Sequence, residues 1–111
     1  MSMRIRKDND ILEYGEIELI SAASDALAHP LRVELFRFIY VENMKQNKVC
    51  NKDLVEVFDY SQSTISQHMS KLTASGLVEV VKQANKSYYF VNLGTLGKYL
   101  NAVKKLNTPL V

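Results

Sequence analysis

Between Ser61 and Lys71 the chain strings together four serines, one threonine, two glutamines, His68 and Lys71, with no acid among them. Hydroxyls and amides at this density suit hydrogen bonding to a polar surface better than bond making. His68 has no adjacent Asp or Cys, and Ser66 and Ser70 lack the glycine elbow that exposes a hydrolase serine. No Gly-rich phosphate loop, carboxylate pair or metal set is found elsewhere, so no catalytic residue and no cofactor is expected. Cys50 is the one cysteine, which excludes an internal disulfide and an all-cysteine metal site within one chain. It is a small buried residue, or a one-thiol redox sensor helped by Lys48 and Lys52, or, as the remotest of the three readings, a partner of His29 or of a second subunit's residues in a metal site.

At about 100° per residue, Ile65, Met69 and Leu72 share one side of a helix over 61–75. Ser63, Gln67 and Ser70 lie opposite, flanked by Thr64, Ser66 and Lys71. Glutamine pairs bidentately with adenine N6 and N7, and serine or threonine bonds a base edge or a phosphate. Gln62 sits near the helix N-terminus, whose free N–H groups suit a phosphate. A plain solvated surface is the alternative, but such surfaces usually carry Glu and Lys. Four serines and a threonine are poor helix formers, so propensity did not select them.

The elements that position this helix follow from periodicity and punctuation. The 111 residues fit one domain. Residues 1–14 read as a flexible arm and 15–111 as the folded domain. Ile17, Ile20, Ala23 and Leu27 mark a first helix that stops near Ala28-His29, ahead of Pro30. Pro30 opens a second helix, 31–44, whose run of Leu31, Val33, Leu35, Phe36, Phe38, Ile39 and Val41 is apolar almost all round and therefore reads as the buried central helix. Val49-Cys50 reads as a very short strand. Asn51 is read as the N-cap of a short helix carrying Leu54, Val55 and Phe58. Ser61 caps the next helix and Gly76 ends it. Two short helices joined by a tight turn form a helix-turn-helix. Beyond Gly76, residues 77–82 and 87–91 are rich in β-branched and aromatic residues around a turn at 83–86, which makes a hairpin wing. Leu93, Leu96, Leu100, Val103 and Leu106 stripe a last helix, 93–106, which packs on its own chain or on a second subunit. The fold expected is mainly α with a small β-hairpin: a winged helix-turn-helix.

Charge is divided unevenly. Residues 1–59 hold eight Lys/Arg and eleven Asp/Glu, whereas 60–111 hold six Lys/Arg and only Glu79 as an acid. A basic C-terminal half points to a polyanionic partner, or else merely aids solubility. Lys82 and Lys86 flank the wing turn, where they suit phosphates beside a groove contact. No apolar run approaches the roughly 18 residues of a membrane span, and Asp8-Asn9-Asp10 stands where a signal peptide needs its apolar stretch. A cytoplasmic protein with no membrane partner is expected.

Ala26-Leu27-Ala28-His29-Pro30-Leu31-Arg32 resembles the alanine-leucine-x-x-proline-x-arginine entry of ArsR/SmtB-type bacterial repressors. Ser61 through Met69, with Leu72 and Gly76-Leu77-Val78, resembles their recognition-helix motif, and Lys86-Ser87-Tyr88-Tyr89-Phe90 resembles the return strand of their wing. The MarR type shares the topology. The resemblance covers about residues 15–106 and implies a homodimeric DNA-binding regulator, dimerising through its first and last helices and reading double-stranded DNA. On that basis the DNA-binding candidates are Gln62, Ser63, Thr64, Ser66, Gln67, His68, Lys71, Lys82 and Lys86. His68 either contacts DNA or orients its neighbours; read alone, it is equally a half-buried packing residue. Family members commonly sense metals through a cysteine pair at the helix-turn-helix entry. Here Cys50 matches the first thiol and Lys52 stands at the second. The family's other common site uses acids and histidines on the last helix, and this chain has none after Glu79 and His68. No metal site is therefore expected, and no inducer is indicated. A winged-helix module that binds protein is the competing reading.

Overall fold

The computed structural model describes residues 11–109. Five α-helices and a three-stranded antiparallel sheet follow the order α1 (Tyr14–Ala26), α2 (Pro30–Met44), β1 (Val49–Cys50), α3 (Asn51–Phe58), α4 (Gln62–Ala74), β2 (Val78–Gln83), β3 (Lys86–Val91) and α5 (Leu93–Lys104), closed by a 3₁₀ turn at Lys105–Asn107. This is the expected winged helix-turn-helix. Helix α1 begins at Tyr14 rather than after residue 14, because Glu13 and Glu16 form a reciprocal capping box there. Residues 1–10 of the expected arm lie outside the described residues.

Helix α2 starts where Pro30 fits the first helical position, and His29 Nδ1 accepts the Leu31 N–H at 3.1 Å. Its burial differs from the sequence reading. Leu31, Leu35 and Ile39 are buried, but Val33 is exposed and Phe36, Phe38, Tyr40 and Val41 are only half-buried. One stripe of α2 meets the core; its other apolar residues face shallower surfaces. The cap of α3 also differs. Cys50, not Asn51, is the N-cap: its N–H donates to Asp53 Oδ2 at 2.9 Å and its thiol to the same oxygen at 3.3 Å. That frees the Asn51 side chain for longer-range bonds.

The sheet order is β1-β3-β2, with Val49 opposite Tyr89 and Cys50 opposite Tyr88. The hairpin is thus joined by a third strand, a pairing between residues some forty positions apart in sequence. From Val78–Val91 to Gln83–Lys86, β2 and β3 stay in register around a two-residue turn whose Ala84 and Asn85 both have positive φ, 49° and 68°, as a tight hairpin requires. The base of the hairpin and one face of β3 join the core: Val78, Tyr89 and Val91 are buried while Val80 and Val81 are exposed. The rest projects as a wing. Helix α5 is two residues shorter than expected, its last turn tightening into the 3₁₀ segment, where Lys105 pairs with Glu16 at 2.9 Å. Among the described residues, no helix is long and apolar enough to cross a membrane.

Leu35, Ile39, Leu54, Ile65, Met69, Leu72, Leu77, Val49 and Val78 form the most deeply buried centre. Each such side chain contributes roughly 1.5–3 kcal/mol on leaving water. Gly76, with φ of +86°, turns the chain from α4 into β2, and a Cβ there would meet only Thr95 Cγ2 at an ordinary 3.8 Å. Gly76→Ala is accordingly expected to destabilise by about 1–2 kcal/mol through backbone strain alone. Urea unfolding should show that loss; an unchanged midpoint would contradict the turn geometry.

Candidate nucleic-acid interface

Helix α3 ends at Asp59, in the left-handed region with φ of 54°, and Ser61 begins α4 three residues after Phe58. The Ser61 Oγ accepts the Thr64 N–H at 3.2 Å and donates to Thr64 Oγ1 at 2.9 Å, with Ser63 Oγ at 3.3 Å. The serine-rich start of the helix is thus partly its own cap. Past it, Ile65, Met69 and Leu72 are at most 1% exposed. This burial fixes the rotation of α4 and turns Gln62, Ser63, Gln67, Ser70 and Lys71 to the exposed side.

Three of the expected site residues stand apart from that face. Thr64, Ser66 and His68 are half-buried. Thr64 belongs to the cap. Ser66 Oγ accepts from Asn51 Nδ2 at 3.4 Å, and Asn51 Oδ1 in turn accepts from the Tyr89 hydroxyl at 3.2 Å. Burial, then the neighbouring Cys50, hold the Tyr89 phenol above its ordinary range, so it remains a donor. The chain Tyr89–Asn51–Ser66 ties the wing strand and α3 to one flank of α4.

His68 secures the other flank. Arg32 Nη1 lies 3.1 Å from His68 Nδ1, while Arg32 Nε donates to Ala26 O at 2.6 Å and Nη2 to Asp25 O at 3.4 Å. A guanidinium only donates, so Nδ1 of His68 carries the lone pair and its proton sits on Nε2. The His29 ring lies 4.6 Å away, tilted by 48°. One arginine thus closes the end of α1 and holds α4. Sequence reading noted Arg32 only as a motif letter, and passed over the bonding of Asn51 and Tyr89, since neither spacing nor periodicity reports contacts between residues so far apart.

Lys82 and Lys86 are exposed on the wing. The Lys48 ammonium reaches Gln83 Oε1 at 3.2 Å and lies 5.3 Å from the Tyr88 ring centre, bracing the wing from the α2–β1 loop. Cys50 is buried at the foot of this arrangement. Among the described residues, no three His, Cys, Asp or Glu side chains converge as a metal would require.

Residues 41–80 match the family model described as bacterial regulatory protein, arsR family. The arsenical resistance operon repressor of Staphylococcus xylosus is 33% identical over 81 residues, covering 73% of this chain and 70% of that protein. The chain belongs to the ArsR family. The arsenical resistance operon repressor of Staphylococcus aureus is 36% identical over 61 residues, 55% of this chain; the match spans 59% of that relative's length. Among solved structures, the transcriptional repressor PagR of Bacillus anthracis superposes with a TM-score of 0.64 at 25% identity, covering 86% of this chain and all of PagR. A regulatory role in transcription follows from ArsR-family membership, and the winged helix-turn-helix is the scaffold that carries it.

The histidine contact is expected to make the stability of this ArsR-family chain fall in acid. Burial first, then the charges of His29 and Arg32, hold the His68 imidazole below its ordinary pKa. The unfolded chain therefore binds the proton more readily. The contribution to stability is complete above about pH 6.5, the unperturbed value, and is lost as pH falls from there through the lower folded value. Urea midpoints should decline over that window, and His68→Asn should flatten the decline. An identical slope in the variant would remove His68 as the cause.

Proposed function

We propose that this chain is a homodimeric transcriptional repressor, in which α4 reads the major groove of double-stranded DNA and the β2–β3 wing grips phosphates. The observation that carries the reading is the division of α4: a buried apolar side fixes an exposed one bearing Gln62, Ser63, Gln67 and Lys71, with no carboxylate. Gln67, central on that side, suits an adenine; Ser63 suits a base edge or phosphate. Thr64 and Ser66, being half-buried, reach DNA through their hydroxyls at the edges of the face, and His68 orients the helix while its Nε2 proton remains available to a phosphate. Lys82 and Lys86 hold the backbone beside the groove. The staphylococcal relatives and PagR are named repressors, which supports blocking of transcription over activation. The regulator performs no chemistry in this role, and it works on DNA in the cytoplasm. Cys50, buried and capping α3, serves packing in preference to redox sensing.

A second subunit would cover the surface that α5 leaves open. Leu93, Leu100 and Leu106 are 54%, 49% and 62% exposed. Leu96 and Leu100 line a shallow groove with Phe36, Arg37 and Tyr40. Tyr99 and Ala102 bind α5 to its own chain, the Tyr99 hydroxyl lying 3.0 Å from Ser24 Oγ, so the leucine stripe is what remains for a partner. Two-fold symmetry then sets the two recognition helices about 34 Å, one DNA turn, or a multiple apart. Sedimentation of Leu100→Glu should show a monomer where the parent chain is a dimer. A parent chain that is monomeric at micromolar concentration yet binds a palindrome tightly would overturn the dimer.

Base reading and phosphate grip separate in titrations on DNA from upstream of the chain's own coding region and on random DNA. Gln67→Ala should cost about 1–3 kcal/mol on the specific duplex and little on random DNA, with Ser63→Ala a milder version. Lys86→Ala should weaken both and lower the salt slope by up to about one unit. If Gln67→Ala and Ser63→Ala leave specific affinity unchanged, α4 does not read the groove, and a protein-binding role becomes the better account.

A further inference from the structure

A cleft of about 250 Å³ opens where the start of α3, the first half of α4 and the wing tip converge. Lys52, Gln62, Ser66, Asn85 and Lys86 stand in its wall, and none of the described residues lining it is acidic. The nearest carboxylate on α3, Asp53, is engaged by the N–H and thiol of Cys50. The Lys52 and Lys86 ammonium groups form no ion pair or hydrogen bond with any described residue. Two lysines from separate elements therefore border one small cleft with their charge uncompensated.

The floor of the cleft has a direction. The Tyr89 hydroxyl donates to Asn51 Oδ1, and Asn51 Nδ2 donates to Ser66 Oγ. Both polar atoms of the Asn51 side chain are occupied by that relay. Ser66 receives a proton donor and has no acceptor of its own among the described residues, so its hydroxyl hydrogen is left for a ligand. Each step of the relay passes donor character toward the cleft, and the lysines add positive charge above it. With two ammonium groups and a donor hydroxyl and no carboxylate, such a site favours an oxyanion over a cation.

We propose that this cleft holds a single phosphate of the DNA backbone, clamped by Lys52 from α3 and Lys86 from the wing, with Ser66 donating from below. The proposal rests on the DNA-binding reading and adds to it a defined subsite and a contact residue, Lys52, on the helix before the recognition helix. It also explains why the wing is braced: a clamp with one jaw on a hairpin needs the hairpin held, and Lys48 holds Gln83 at 3.2 Å.

Salt titrations on random and specific duplexes test it with Lys52→Ala, Lys86→Ala and the double variant, all at exposed positions. One neutralised phosphate contributes a slope of about 0.9 in log K against log salt. Two lysines on one phosphate should together remove about that much; two lysines on separate phosphates should remove twice as much, which would overturn the shared site. Duplexes with a single neutral methylphosphonate, moved along the backbone, give the second readout. At one position the substitution should weaken the parent chain and leave the double variant unaffected; the absence of any such position would overturn the proposal. Because random DNA reports the slope, loss of the base-reading account through Gln67→Ala would leave this result interpretable. Inorganic phosphate provides the last arm. If it shifts the amide resonances of Asn51, Lys52 and Lys86 at millimolar concentration while duplex DNA does not, the cleft is a small-anion site and the DNA assignment is wrong.

Discussion

Ile65, Met69 and Leu72 are removed from water in the same core as Leu35, Ile39 and Leu54, and no rotation of α4 keeps them there while turning Gln67 inward. Their burial, at roughly 1.5–3 kcal/mol apiece, decides the identity of the outer face. Everything that face can do depends on it. The serines and glutamines need no support from packing because the opposite side supplies it, and their low helix propensity is tolerated since tertiary contacts, with the Ser61 cap, hold the helix.

Apolar packing sets the rotation of α4, whereas polar contacts on its two flanks set its position against neighbouring elements. Arg32 binds His68 on one flank and the end of α1 with its other nitrogens. Asn51 and Tyr89 reach Ser66 on the other. The two contacts differ in what can disturb them. The Tyr89 relay is neutral throughout and indifferent to pH in the physiological range. The Arg32–His68 contact requires a neutral imidazole, which burial and the adjacent cation both favour. A helix that places side chains against base edges must be held to within a fraction of an ångström, and these long-range bonds are the means available to a domain with so small a core.

Local signals in the sequence were reliable where one element decides the outcome by itself. Ser61 as a cap, Gly76 with its positive φ, and the buried trio on α4 all follow from neighbouring residues, and the structure has each of them. Readings that needed the tertiary neighbourhood went astray. Helix α2 carries apolar residues on most sides, and periodicity does not separate the stripe that meets the core from Val33, which is exposed. Asn51 has the chemistry of a cap, but Cys50 and Asp53 close the helix one residue earlier, and the amide is used across the fold. The pairing of β1 with β3 joins segments separated by two helices and a strand; nothing in a two-residue run predicts its partner. The candidate site divides in the same way. Its outward members were legible from helical phase, while the partners of Ser66 and His68 were not.

The central claim is that α4 meets DNA through the face opposite its buried side, with the wing beside it. Amide chemical-shift mapping of the ¹⁵N-labelled protein against a bound duplex tests this most directly, because it reports on every element at once. The account predicts that the largest shifts fall on residues 61–71 and on the wing turn around Lys86, with the leucine stripe of α5 undisturbed. Shifts concentrated on α5 and the Phe36–Tyr40 surface, with residues 61–71 unchanged, would contradict it.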